Sequence, residues 1–215
     1  RADPSPADPD FAQVERYCMF IGYPRSGHSL VGSLIDAHPD ALIAHELNAL
    51  RYVAAGAGRL DLFRLLARNS GEFTALGRRW GEYSYAVPGQ WQGRWRRLRI
   101  IGDKKGGSSS GILAERPELL DRLCATVGVP LRLVHVVRNP YDNIATIARK
   151  DTGDLAQAIR FYFRLLETNV RIAAGAPDAV LTLRHEAIIA APAPALRSLA
   201  AFLESLALKE DDRRD

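Results

Sequence analysis

The run GYPRSGHSL, Gly22 to Leu30, constrains this chain most, because it sets a phosphate-sized loop between a short apolar strand and the start of a helix. The residues before it, Tyr17 to Ile21, are apolar and give way to glycine and proline, the pattern of a buried strand leaving a parallel sheet. The spacing predicts a helix from about Ser29. Gly27 lets the backbone approach a ligand, Ser29 is placed to cap the helix, and first-turn N–H groups have no intrahelical partner. An anion can take them. Arg25 adds a fixed positive charge, so Arg25, Ser26, Gly27, His28, Ser29 and Leu30 form a candidate anion cradle. The macrodipole contributes roughly 0.3–1 kcal/mol and each charge-assisted hydrogen bond about 1.5–3 kcal/mol, so the bonds decide the affinity.

This loop is not a Walker A motif, which requires a lysine and then a hydroxyl after its last glycine. Here His28 and Ser29 follow Gly27. The departure argues against nucleotide triphosphate hydrolysis and against a magnesium site built into the loop. An ATP-dependent small-molecule kinase is kept as an alternative.

Along the chain, strands are expected at 17–22, near 41–44 and at 98–102, 131–137 and 179–183. Helices are expected at 29–37, through about 46–68, and at 115–126, 141–150, 154–174 and 193–206. This alternation implies an α/β fold, a three-layer parallel sheet flanked by helices with a P-loop-like phosphate-binding loop after the first strand. Ligands in such sheets lie beyond the carboxyl ends of the strands, where Arg25 and Arg138 both fall. Residues 1–14, RADPSPADPDFAQV, begin with three prolines among alternating acids and are expected to be a mobile segment. Residues 15–215 are expected to form one domain.

PRSGHSL, the continuation LIDAHPDALIAHE and the later run LRLVHVVRNPYDNIAT, Leu131 to Thr146, together resemble the sulfotransferases that use 3′-phosphoadenosine 5′-phosphosulfate (PAPS), in their bacterial and tyrosylprotein branch. Weaker matches are RIIGDKKGG, which lacks the proline that often follows the lysine, and LRHEAIIAAPAPALRSLAAFLE. The resemblance runs from about Met19 to Glu204. It implies that Arg138 and Thr146 bind the 3′-phosphate, the arginine offering a planar fork and the hydroxyl lying two turns along the helix. It also implies that Glu46 is the base that deprotonates the acceptor, with neighbouring His45 in reserve, and that Arg25 and Lys104 face the charge developing on the leaving group. His185 stands where a tyrosine near the adenine is common. His28 replaces a threonine, and either donates to the phosphosulfate or points away while its N–H serves. The bland reading of Glu46 is an acid in the first turn of a helix at 46–56. That of Lys104 is a surface lysine paired with an acid.

Composition adds less. The net charge of +4 is concentrated at Leu76–Lys105, where eight Arg/Lys face two acids and three tryptophans intervene. That stretch reads as solvated arginines with packed tryptophans, as a lining of the acceptor pocket, or as a surface for single strands. A non-catalytic nucleic-acid or polyanion binder is therefore the reading from another class, although nucleic acid is not the expected partner. Cys18 and Cys124 have no metal-ligand or redox spacing and are expected to be buried free thiols in a reducing cytoplasm. His38 and His135 read as structural, and no histidine pairing suggests a metal. No apolar run approaches the roughly 20 residues of a membrane helix. The expectation is a cytoplasmic PAPS-dependent sulfotransferase, releasing 3′-phosphoadenosine 5′-phosphate (PAP) and needing no metal. Its acceptor is a small-molecule, lipid or carbohydrate hydroxyl or amine; oligomeric state is left open.

Overall fold

A computed structural model describes residues 11–204. Its centre is β1 (Arg16–Gly22), every residue of which is buried. With β2 (Ala41–His45), β5 (Ile100–Lys104), β6 (Leu131–Val137) and β7 (Val180–Arg184) it forms a parallel sheet in the order β2-β5-β1-β6-β7. Successive side chains of a strand face opposite ways. Tyr17, Met19 and Ile21 therefore enter one core with α2 (Ala49–Ala54), α3 (Arg59–Ala75), α4 (Gly106–Glu115) and α5 (Leu119–Val127). Cys18 and Phe20 enter the other, with α1 (His28–Asp36), α8 (His185–Ala190) and α9 (Pro192–Glu204). A third cluster joins Tyr23 to Ile147 of α6 (Pro140–Ile147) and to Tyr162 of α7 (Leu155–Gly175), the Tyr23 and Tyr162 rings stacking at 4.2 Å. The three-layer α/β arrangement is the expected one.

The chain leaves β1 towards β2 on one side and leaves β6 towards β7 on the other. The crevice between their exits is thus the switch point of the sheet, where ligands of such folds bind.

Several local expectations change. The anticipated helical stretch 46–68 is two helices, interrupted around Gly56 and Gly58 and running on to Ala75. The helix expected at 115–126 begins at Leu119, because Pro117 disfavours helical geometry at Arg116, which sits at φ −136°. Ahead of it lies α4, whose GGSSSG sequence carries little helical propensity and is supported instead by tertiary contacts, Ser110 accepting from Gly22 N at 2.9 Å and donating to Asn169. A hairpin of β3 (Arg79–Trp80) and β4 (Tyr83–Ser84) was not expected. Cys124 is exposed on α5, correcting the expectation of two buried thiols, while Cys18 is buried. Of the segment 1–14, residues 1–10 lie outside the described residues, but Phe11 and Val14 are buried and the Phe11 ring packs on Phe63. Helix 193–206 is seen as far as Glu204.

A buried polar hub ties the irregular segment after α3 to this frame. Asp36, ending α1, accepts from Ile43 N on β2, Ser70 Oγ on α3, Gly93 N and the Arg78 guanidinium. Arg78 and Asp36 are both almost fully buried. Gln92 adds bonds to Ser33 O and Tyr85 O and accepts from Val87 N.

Candidate active site

The loop between β1 and α1 is held from below. Ser26 Oγ donates to Tyr23 O at 2.8 Å, and the buried Asn143 side chain of α6 donates to Pro24 O at 2.8 Å. Arg25 and Gly27 take left-handed backbone, φ 64° and 98°. The helix begins one residue earlier than expected, at His28 with Gly27 as its cap residue, so Ser29 is not the cap. Leu30 N closes a tight turn on Gly27 O at 3.1 Å. That uses the Leu30 donor, whereas the N–H groups of Gly27, His28 and Ser29 make no bond to the described residues.

His28 takes the second of its two expected orientations. Its ring turns beneath the loop into the sheet, Nε2 donating to Ile21 O at 3.1 Å, Nδ1 lying 3.2 Å from the Ser26 hydroxyl and the ring edge meeting Phe20. Burial lowers its pKa to about 3 and keeps it neutral.

On the other side of the loop, Lys104 ends β5 with only 1% of its surface exposed, which rules out the surface-lysine reading. Its stem passes over Gly32 of α1, where a Cβ would lie 2.7 Å from Lys104 Cγ. Its ammonium donates to Ser29 Oγ at 2.8 Å and to Glu46 Oε1 at 2.5 Å; Lys105 binds the other Glu46 oxygen. Glu46 lies in the turn after β2 at φ 62°, its N–H on Lys104 O, and α2 starts only at Ala49. It is therefore not a first-turn helix acid. Burial pushes the Glu46 carboxyl up, but the charges and hydrogen bonds of Lys104 and Lys105 bring it below its ordinary value. For Lys104 burial dominates, and its ammonium is lowered despite Glu46. Behind them Asp103 caps the turn into α2, accepting from Leu47 N and Ala49 N, and burial raises it to about 6.

His45 points elsewhere. It stacks on Phe73 at 3.9 Å beside Trp80 and Tyr85, and burial holds it near 3. It is neutral, and although His45 and Lys104 are register partners on neighbouring strands, the His45 ring is held by Phe73 rather than by the Lys104–Glu46 pair. Trp80 and Tyr83 are more than half exposed on the hairpin above it.

The second motif approaches from β6 and α6. Arg138 Nη1 donates to Arg25 O at 3.4 Å, and Asn139 caps α6 by accepting from Tyr141 N at 2.9 Å. The Thr146 hydroxyl donates to Asp142 O at 2.7 Å and must rotate to reach a phosphate. His185, opening α8, covers the cradle: a Cβ on Gly27 would lie 2.4 Å from its Nδ1, a buried atom without a partner. The structure thus gathers Arg25 to Ser29, Glu46, Lys104, Arg138 and His185 at one end of the sheet, with Thr146 on the adjoining helix and the His45 ring stacked on Phe73. Sequence reasoning overlooked Lys105, Asn143, Asp103 and Asp151, the last of which forks onto Arg25. Only the doubled lysine of GDKK offered a signal. Among the described residues no group of three His, Cys, Asp or Glu side chains is arranged to hold a metal, and no helix is long and apolar enough to cross a membrane.

No family model matches the chain, and no curated protein does. Among solved structures it resembles the sulfotransferase domain of the Synechococcus PCC 7002 olefin synthase, with a TM-score of 0.57 and 21% identity over 91% of this chain and 75% of that one. The sulfotransferase domain from the curacin biosynthetic pathway gives a TM-score of 0.57 and 17% identity over 88% and 74%. The fold of this chain, with its loop after β1 and its crevice between β1 and β6, is the fold of sulfotransferase domains.

Proposed function

We propose that this protein transfers a sulfuryl group from PAPS to a hydroxyl or amine. The observation that carries the reading is the placement of two separate anion motifs, the Arg25–Ser29 loop and Arg138 with Thr146, at the same end of the sheet and in contact through the Arg25 carbonyl. A nucleotide bearing a 5′-phosphosulfate and a 3′-phosphate matches two such motifs. A simple mononucleotide needs one.

The N–H groups of Gly27, His28 and Ser29 hold the 5′-phosphosulfate, Arg138 and Thr146 the 3′-phosphate, and His185 lies over the cradle towards the nucleoside. Glu46 accepts the acceptor's proton as its oxygen or nitrogen attacks sulfur. Lys104 and Arg25 oppose the charge that grows on the bridging oxygen as the S–O bond breaks, and cationic donors held in place there lower the barrier. The proton moves to the Glu46 carboxylate and the electron pair leaves with PAP. The hairpin residues Trp80 and Tyr83, beside Glu46's neighbour His45, offer an apolar surface to the body of a small-molecule, lipid or carbohydrate acceptor.

Calorimetric titration with PAP and, separately, ATP without magnesium tests the reading. Binding of PAP alone, weakened at least a hundredfold but still measurable in both Arg25→Ala and Arg138→Ala with their melting temperatures kept, is expected. ATP binding alone would move the assignment to a kinase, and unchanged PAP affinity in both variants would refute it. Transfer of radiolabelled sulfate from PAPS to a panel of hydroxyl and amine compounds then identifies the acceptor.

A further inference from the structure

We propose that Asp151 is a positioning residue for Arg25, and that through it the element carrying the 3′-phosphate motif sets the geometry of the 5′ loop. This rests on the PAPS reading for the identity of the anion, but not for the contact itself.

Arg25 sits at the apex of the loop on left-handed backbone, with its side chain 44% exposed. A long side chain in that position would sample many rotamers. Instead Asp151 grips it in a fork, Oδ2 accepting from Nε at 3.1 Å and Oδ1 from Nη2 at 2.5 Å. These two atoms form the side edge of the guanidinium. The group carries five N–H donors in one plane, so two are used and three remain, two of them side by side on the end edge formed by Nη1 and Nη2. That edge is itself a bidentate fork for a phosphate or sulfuryl oxygen. The carboxylate therefore fixes the plane of Arg25 without taking the edge an anion would use. Its hydrogen bonds also raise the Arg25 pKa, with burial a smaller opposing influence.

The backbone that delivers Asp151 is unusual. α6 runs into a π-helical turn, Ala148–Thr152, closed by Gly153 N on Ala148 O at 2.8 Å. Such turns add one residue to a helix, and they cluster at functional sites. With one residue fewer, a side chain at this point would be turned by about 100° around the helix axis, away from the loop. The same β6–α6 unit touches the loop twice more, through Asn143 on Pro24 O and Arg138 on Arg25 O. Arg138, Asn143, Thr146 and Asp151 thus form one run of chain that carries the second anion motif and holds the first.

The test uses Asp151→Asn, Asp151→Glu, Asp151→Ala and the double variant Arg25→Ala/Asp151→Ala. Arginine Nε–H resonances in the 15N-labelled protein, with Arg25 assigned by its loss in Arg25→Lys, report the contact whatever the ligand. Solvent exchange of the Arg25 Nε–H is expected to accelerate at least tenfold in Asp151→Asn and to be restored in part by Asp151→Glu. PAP affinity is expected to fall about tenfold in Asp151→Ala, with no further loss when Asp151→Ala is added to Arg25→Ala. Unchanged exchange overturns the proposal. So does tighter PAP binding by Asp151→Asn, which would make Asp151 a competitor of the anion. If the wild-type protein binds no PAP, the donor reading fails instead, and inorganic sulfate replaces PAP as the probe in the same variants, loss of coupling there overturning the proposal.

Discussion

Gly27 meets two demands that no other residue satisfies together. Its φ of 98° is a region that a side chain populates only at a cost of ~1–3 kcal/mol. The space where a Cβ would go is filled by the His185 ring. Gly27→Ala should therefore lower stability by ~1–3 kcal/mol in urea unfolding and weaken PAP binding at least tenfold. Adding His185→Ala should relieve the clash but leave the backbone strain, so stability recovers only in part. Full recovery would mean that the backbone of the loop carries no strain. Glu46 makes a different kind of prediction. Its carboxyl lies below 4.5, so the base form is present at all higher pH and is lost only as pH falls through that lowered value. The Lys104 ammonium, lowered from 10.5, is present below its own value and lost as pH rises through it. The pH profile of turnover should accordingly show an acid limb below 4.5 and an alkaline limb below 10.5. An acid limb between 5 and 7 that persists in Asp103→Asn, where the neighbouring carboxyl raised to about 6 is gone, would exclude Glu46 as the base. Glu46→Gln should reduce turnover about 10²- to 10⁴-fold. Its PAP affinity should be kept or increased, since a negative charge leaves the anion site.

At the level of elements, the Asp36–Arg78 hub decides whether the hairpin β3–β4 stays on the domain. Asp36 binds groups from β2, α3 and the loop at Gly93 at once, and Arg78 is its counter-charge on the segment after α3. Removing one partner of a buried ion pair leaves the other unpaired and costs about 3–5 kcal/mol. Arg78→Ala should show that loss in urea unfolding, with enhanced proteolysis between residues 76 and 98; a loss below about 1 kcal/mol would mean that water replaces the guanidinium. This hub was invisible in the sequence, because nothing local distinguishes Arg78 from Arg79 or Asp36 from Asp40. What was legible had local causes. The strand–loop–helix of the cradle and the β6–α6 motif each combine an apolar run with glycine or proline punctuation, and both lie where their spacing put them. Helix α4 was not legible, since its glycines and serines become helical only by packing against β1 and α7. Nor was Asp151, whose aim depends on one π turn. His28 and His45 were visible as site candidates, but their burial and facing depend on the sheet, and one turns into the core while the other stacks on Phe73.

For the molecule as a whole, the charge distribution bears on the third reading, a polyanion binder. Local excess charge in a sequence becomes a field only if the fold leaves it unpaired. Here much of it is paired. Arg78 binds Asp36, Arg96 binds Asp40, Arg97 and Arg99 share Glu15, and Lys104 and Lys105 share Glu46. Arg94 turns back onto the Trp91 ring and Gln90 O. Four carboxylates from outside the segment 76–105 thus oppose its local excess of six, leaving two. A single strand that releases two counterions should bind with a logarithmic salt slope no steeper than roughly −1.4, since each phosphate neutralised contributes about −0.7. Fluorescence titration of a homopolymeric DNA oligonucleotide over a range of salt concentrations measures that slope, with PAP titrated alongside as the proposed crevice ligand. A shallow slope together with oligonucleotide affinity well below that of PAP agrees with arginines engaged in holding the domain together. A slope steeper than about −3 would require the paired arginines to release their carboxylates, and the basic stretch would then be a binding surface in its own right.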